Sequence, residues 1–343
     1  MNKIRVALIG GFYATGKTTT IVRLGKKLSE EGKRVAVITN DKGVINVDGE
    51  VIKSLGFEAV DITGGCICYY LDRVSEVVKT ISKKFIPDII LIEPVAYFLP
   101  SKLYEDLGRE LGEKLDVAPI TILVDGSQLV QYNQEGKELP FIESRQIEDA
   151  EVVLINKIDL VPPDKTQIIE KIVQEINPRA RLIKMSAKTG TNLDELFDVV
   201  LHGKHEVVPA VTMTVIKTFA RSVTEIGERG EQYTINAKEI LTESKVKNFL
   251  RDLLEGIGKK VNDTEAEISH LKAYVSDGVF FIKASLVRLG QEVDFVSNIK
   301  GLSSGRIIIN AIGRGLPDDF LYGLMVKTLQ ETAPRYGIVF RLE

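Results

Sequence analysis

Cysteine is scarce in this 343-residue chain: there are two, Cys66 and Cys68, with one residue between them. So few thiols exclude a disulfide framework, and the close pair reads instead as metal-binding or redox-active. Long apolar runs are also missing, since no stretch reaches the roughly 18 residues that a membrane-spanning helix needs. Charge of one sign is missing too. With 45 Lys plus Arg against 48 Asp plus Glu, the net charge is −3. No global field draws the chain onto nucleic acid, and no acidic or basic tail is present. The residues before the first strand pattern, 4–9, lack the segments of a signal peptide, so the expected compartment is the cytoplasm.

What remains is the composition of a folded globular protein, with 44% hydrophobic and 27% charged residues. The length exceeds one ordinary core and implies two domains. Short apolar runs at 4–9, 34–39, 88–92, 119–124, 151–155 and 180–185 alternate with amphipathic stretches such as 18–31 and 164–176. Most of these runs are continuous, like Ile89-Ile90-Leu91-Ile92, as in strands buried on both faces of a parallel sheet. Asp164, after Pro162-Pro163, is the expected N-cap of its helix. The alternation predicts an α/β domain over 1–203 with a mostly parallel sheet and helices on both faces. A stretch without periodicity, 204–212, reads as a linker. Over 213–343 the pattern predicts a smaller α+β domain. Its parts are a helix carrying Val246, Phe249, Leu250, Leu253, Leu254 and Ile257, strands at 267–275 and 279–287 joined by Ser276-Asp277-Gly278, a strand at 306–312, a helix entered at Pro317, and a last strand at 336–342.

Three motifs carry chemistry. Gly11-Phe12-Tyr13-Ala14-Thr15-Gly16-Lys17-Thr18 is a phosphate-binding loop between a buried strand and a helix. Its glycines let amide N–H groups turn toward phosphate, and the helix N-terminus favours an anion. Lys17 is positioned to neutralise the β- and γ-phosphates and Thr18 to place its hydroxyl on Mg²⁺; Ala14, Thr15 and Thr19 complete the cradle. Asn156-Lys157-Ile158-Asp159 follows the fifth apolar run. The Asp159 carboxylate matches the paired N–H donors of guanine, which adenine lacks, and the Lys157 stem suits the base face. Ser186-Ala187-Lys188 follows the sixth run and is placed to offer a backbone N–H to the guanine carbonyl. All three motifs stand at the C-terminal ends of predicted strands, where open α/β sheets bind ligands. Glu93, ending the third run, is a candidate to hold Mg²⁺ or orient the attacking water, and Asp41 is a second candidate for the metal shell. Ala96 stands where a glycine sensing the γ-phosphate is expected.

With these residues in view, the chain resembles the CobW-like metallochaperone GTPases, relatives of the HypB and UreG nickel-insertion GTPases. The likeness rests on Gly10-Gly11-Phe12, Gly64-Gly65-Cys66-Ile67-Cys68, Ile92-Glu93 and Asn156-Lys157-Ile158-Asp159, and it covers roughly residues 1–200. It implies GTP binding and hydrolysis, slow without a partner, that gates delivery of a metal to a client metalloprotein or a corrinoid-dependent enzyme met by the C-terminal domain. The family's metal motif is Cys-x-Cys-Cys, and here Tyr69 takes the last position. Residues i and i+2 of an extended segment project to one side, so Cys66 and Cys68 can share an ion. Soft thiolates suit Zn²⁺, Co²⁺ or Ni²⁺. The missing ligands are open: a second chain in a homodimer, or Asp41, Glu50 or a His of this chain. His202 and His205 read as solvated linker residues and His270 as structural. A GTP-driven switch that carries no metal is the alternative, and a small-molecule kinase is a more distant one.

Overall fold

The computed structural model describes residues 3–41, 47–63, 71–111, 115–206, 211–264 and 266–342. They divide into two compact units, with the boundary after Ser222.

The first unit holds strands β1 (Ile4–Gly11), β2 (Val35–Asp41), β3 (Glu58–Thr63), β4 (Ile89–Glu93), β5 (Leu115–Val117), β6 (Thr121–Asp125), β7 (Val152–Asn156) and β8 (Arg181–Lys184). Its helices are α1 (Lys17–Glu30), α2 (Val47–Ser54), α3 (Leu71–Lys84), α4 (Pro100–Leu111), α5 (Gly126–Gln134), α6 (Phe141–Asp149), α7 (Thr166–Ile176) and α8 (Leu193–His202); α9 (Met213–Val223) leads into the second unit. The strands form one sheet in the order β3-β2-β4-β1-β6-β7-β8, with β5 beside the first half of β1. The pairings of β1 with β4, β5 and β6, and of β6 with β7, are parallel. Strands β4, β6 and β7 are buried along their whole length, as continuous apolar runs require when helices cover both faces. On one face Ile21, Leu24 and Leu28 of α1 pack with Leu196 and Val200 of α8 against Ile9, Leu91 and Leu154. Their spacing along α1 is the three-and-four rhythm of an amphipathic helix.

Two strands, β3 and β5, escape the reading from sequence. Strand β5 is three residues long, and β3 is a sheet edge where Glu58 and Asp61 break the apolar run. Asp164 is not the N-cap it was expected to be. Pro163–Lys165 form a separate 3₁₀ turn, α7 starts at Thr166, and the Asp164 carboxylate lies 3.3 Å from Lys165 Nζ.

The second unit is a six-stranded sheet in the order β12-β11-β10-β13-β9-β14. These strands are β9 (Ile226–Thr242), β10 (Glu267–Ser276), β11 (Phe281–Leu286), β12 (Asp294–Ser297), β13 (Gly301–Arg314) and β14 (Ile338–Leu342), and all pairings are antiparallel. Helices α10 (Glu243–Asn262) and α11 (Asp318–Thr332) share one core with the sheet. Val246, Phe249, Leu250, Leu253, Leu254 and Ile257 are all fully buried there, as their periodicity implies. The expected turn at Ser276-Asp277-Gly278 forms, with Asp277 Oδ1 accepting from Val279 N at 2.9 Å and Phe280 N at 2.7 Å. The expected α/β domain followed by an α+β domain is therefore what the chain builds. Strand β9, the longest, was not anticipated. Its first half, Gly227-Glu228-Arg229-Gly230-Glu231, mixes glycine with charge and shows no apolar alternation.

Candidate nucleotide site

The loop between β1 and α1 has the backbone of a phosphate cradle. Gly11 (φ 140°), Ala14 (φ 60°) and Gly16 (φ 97°) all take positive φ. Gly16 also allows a close approach, since a Cβ there would lie 2.3 Å from Asn156 Nδ2. Lys17 Nζ donates to Phe12 O at 2.9 Å, curling back over the loop, and Thr15 Oγ1 donates to the same carbonyl at 3.0 Å. Thr18 Oγ1 donates to Glu93 Oε1 at 2.8 Å. Glu93 is 4% exposed at the end of β4, which lies directly beside β1. The hydroxyl and carboxylate predicted to share Mg²⁺ thus meet, although 75 residues separate them in sequence. Thr19 is exposed on the first turn of α1.

The second and third motifs are joined to the first by one side chain. Asn156, 2% exposed, donates from Nδ2 to Thr15 O at 2.7 Å and accepts at Oδ1 from Ala187 N at 2.8 Å. Lys157 follows in the left-handed region at φ 59°, and Ile158–Leu160 form a 3₁₀ turn that leaves Asp159 exposed. Ile158 N donates to Met185 O at 3.2 Å, drawing this turn to the end of β8. The Ser186 hydroxyl accepts from Thr189 N at 3.1 Å, and Gly190 N donates to Ser186 O at 2.8 Å, closing the third loop. Arg23 of α1 donates to Lys188 O, tying the same loop to the helix that the phosphate loop starts.

Some expected residues are not described. Asp41 ends β2, pairing in register with Thr63, but its side chain lies outside the described residues, as do Cys66, Cys68 and Tyr69. Glu50 sits in the first turn of α2. Among the described residues, no group of three or more His, Cys, Asp or Glu side chains is placed to hold a metal. His205 is not solvated as expected. Its ring lies tilted against Tyr104 with centroids 4.8 Å apart, and Nδ1 lies 2.7 Å from Glu151 Oε2. His202 is exposed at the end of α8, and His270 is buried in β10.

Gln146 was not visible from the sequence. Buried in α6, it donates from Nε2 to Ala96 O at 2.8 Å and Phe98 O at 3.3 Å, clamping the loop after Glu93. Val95, Ala96, Tyr97, Phe98 and Leu99 are all buried there. A glutamine in an amphipathic helix carries no local mark of such a role.

Residues 5–184, more than half of the chain, match the family model described as CobW/HypB/UreG, nucleotide-binding domain. The chain belongs to the CobW/HypB/UreG family. It is 28% identical over 220 residues to the zinc-regulated GTPase metalloprotein activator 1 of Dictyostelium discoideum, covering 53% of this chain and 46% of that protein. It is also 28% identical over 186 residues to the zinc chaperone CobW of Sinorhizobium sp, covering 46% of this chain and 52% of that one. The chain thus spans about half the length of these curated relatives. Among solved structures, HypB from Helicobacter pylori in complex with nickel aligns with a TM-score of 0.44 and 20% identity, over 58% of this chain and 86% of that one.

Proposed function

We propose that this family member binds GTP at the cradle between β1 and α1, hydrolyses it slowly, and uses the nucleotide state to hold and release a transition metal for a client. The observation that carries the nucleotide part is the pair of hydrogen bonds at Asn156, one donated to Thr15 O and one accepted from Ala187 N, which link the three predicted guanine-nucleotide motifs. In this reading Gly11, Ala14, Thr15, Gly16, Lys17, Thr18 and Thr19 receive the phosphates. Asn156, Lys157, Asp159, Ser186, Ala187 and Lys188 frame the base. The Asp159 carboxylate accepts from the guanine ring N–H and amine, and the backbone of the Ser186-to-Lys188 loop faces the guanine carbonyl.

The residues fit a Mg²⁺ ion. A buried carboxylate and a threonine hydroxyl already lie 2.8 Å apart beside the loop, an oxygen pair suited to a hard cation. Thr18 and Glu93 would hold it, with Asp41 as the further candidate. When bound, Mg²⁺ supplies charge neutralisation at the β- and γ-phosphates. Lys17 adds a cation on the same phosphates, and the fold keeps Glu93 out of bulk water, where its charge acts strongly. No Arg or Gln stands out in the sequence as a transition-state stabiliser, so turnover without a partner is slow.

Metal handling rests on different support. Cys66 and Cys68 are spaced to share an ion, and both relatives above carry zinc in their names. Asp41 and Glu93 bracket the cysteine segment in sequence, and in this reading a change of nucleotide state at these two positions is passed along the chain to the thiols. The cargo is Zn²⁺, Co²⁺ or Ni²⁺, completed by a second copy or by further side chains. The client is a metalloprotein or corrinoid-dependent enzyme in the cytoplasm, met by the second unit. Tyr69, in place of a third cysteine, favours one other reading: a GTP switch that assembles such an enzyme without carrying metal. Changing both Cys66 and Cys68 to Ser separates them. Client activation is lost if the thiols carry the ion and persists if the protein is a metal-free switch. Hydrolysis with Glu93→Gln tests the catalytic part, with a fall of about 10²-fold or more expected if Glu93 acts at the metal or water.

A further inference from the structure

Asp125 closes β6 directly beside Asn156 at the end of β7. Its side chain is 5% exposed, and its two oxygens serve different partners. Oδ1 accepts from Ser127 N at 3.0 Å, Ser127 Oγ at 2.6 Å and Gln128 N at 3.3 Å, capping α5. Oδ2 lies 2.8 Å from Lys157 Nζ. The strand ends are held close enough for this by Gly126. A Cβ there would lie 3.1 Å from Asn156 O and 3.2 Å from Ile155 Cγ2. A larger residue would push α5, and Asp125 with it, away from the motif that carries Lys157.

We propose that Asp125 is a positioning residue for base recognition, fixing Lys157 so that its alkyl stem is already set along the face of the incoming purine. The proposal deepens the reading of Asn156 to Asp159 as the guanine site and rests on it. A lysine side chain has large rotamer entropy to lose when it is ordered. The ion pair orders it in the free protein, so the binding step is spared that loss. The pairing also neutralises the ammonium, which separates the two lysines of the pocket by task. Lys17 offers charge to phosphate, while Lys157 offers methylenes to the base. A carboxylate this enclosed in turn needs a cation beside it, so the pair is mutually held.

The cap and the pairing use different oxygens and can be separated. Asp125→Asn keeps an acceptor for α5 but places an amide where Lys157 needs a carboxylate. Fluorescent GDP is titrated against the wild type, D125N, Lys157→Met and the double variant, with thermal unfolding followed in parallel. D125N is expected to weaken GDP about tenfold, the size of the lysine ordering loss. The double variant should then bind no more weakly than K157M alone. A D125N protein that binds like the wild type, or losses that multiply in the double variant, would overturn the proposal and leave Asp125 a helix cap. An Asp159→Asn protein with unchanged GDP affinity would instead remove the guanine-site reading, and the proposal with it. If D125N does not fold, Asp125→Thr, which keeps a capping oxygen without charge, runs the same cycle.

Discussion

At the scale of single residues, the site is decided by contacts that leave no room for substitution. Gly16→Ala puts a Cβ 2.3 Å from Asn156 Nδ2, on a backbone already at φ 97°. Relief requires giving up the Asn156 bond to Thr15, so GDP affinity is expected to fall by about 10²-fold, counting left-handed strain of ~1–2 kcal/mol and a lost hydrogen bond of ~1 kcal/mol. A fluorescence titration reads this directly, and a G16A protein with intact affinity would mean the loop does not hold phosphate. In the proposed guanine site, Asp159→Asn swaps an acceptor for a donor at the base edge. It should lower GDP affinity about 10- to 100-fold, the worth of a hydrogen bond to a charged group, and raise affinity for xanthine nucleotides, whose 2-oxo group accepts. Competition between GDP and XDP measures the change. The three motifs were legible in the sequence because each is local, a run of a few residues whose types and spacing already contain the chemistry. The ties between them were not. Arg23 reaches Lys188 O across 165 positions, Gln146 reaches Ala96 O across 50, and the side chain of Asn156 spans 141 positions to Thr15. Only the sheet order makes these residues neighbours.

At the scale of elements, the site depends on helices and loops being clamped to the sheet. Leu24, fully buried on the inner face of α1, anchors the helix that the phosphate loop begins. Leu24→Ala should cost about 2–5 kcal/mol, read from chemical denaturation. Gln146→Leu leaves Ala96 O and Phe98 O without their donor and should cost about 1–3 kcal/mol for an unsatisfied buried group. Because it frees the loop after Glu93, it should also slow hydrolysis; a stability loss with unaltered turnover would show the clamp to be structural only. Where β4 begins, Asp88 Oδ2 accepts from Arg34 N at 2.8 Å, and Oδ1 pairs with Arg34 Nη2 at 3.2 Å. These bonds from Arg34 hold the Asp88 carboxyl below its usual range. Its contribution is present above the pKa of an unfolded aspartate and is lost as pH falls through the lower folded value. Both groups are substantially exposed, so Asp88→Asn should cost under about 1 kcal/mol at neutral pH and nothing in strong acid. Urea midpoints at the two pH values check the sign. Strands β1, β4, β6 and β7 announced themselves in the sequence as short apolar runs, whereas β9 did not. Half of β9 is glycine and charge, and partners on both sides rather than its own pattern define it.

At the scale of the molecule, the chain leaving α8 is pinned beneath the parallel sheet of the first unit instead of running free. Arg5, 8% exposed in β1, donates from Nε to Val200 O at 2.7 Å and from Nη2 to Gly203 O, and its Nη1 pairs with Asp116 at 2.9 Å. Glu151 accepts from Ile120 N and Glu206 N, both at 2.6 Å, and lies against His205. Beside them the Tyr104 hydroxyl donates to Ala118 O at 3.1 Å, and burial pushes its pKa far above the ordinary tyrosine value. The residues from Gly203 to Glu206 thus belong to the nucleotide-binding body. Arg5→Met should destabilise the protein by about 1–3 kcal/mol, the cost of leaving buried carbonyls without their donor, since the mostly exposed Asp116 is taken up by water. The aperiodic stretch 204–212, read as a linker, gave no hint of this, because the partners Arg5, Tyr104 and Glu151 lie far away in sequence. The proposed function couples, in one chain, a guanine-nucleotide pocket to a thiol pair. Its most direct test is Co²⁺ titration of the reduced protein, with GDP and with a non-hydrolysable GTP analogue, following thiolate-to-cobalt charge-transfer absorption. A band that disappears in the Cys66→Ser/Cys68→Ser variant is expected, with a Co²⁺ affinity that differs between the two nucleotide states. Equal affinity in both states, or no thiolate band in either, would contradict it.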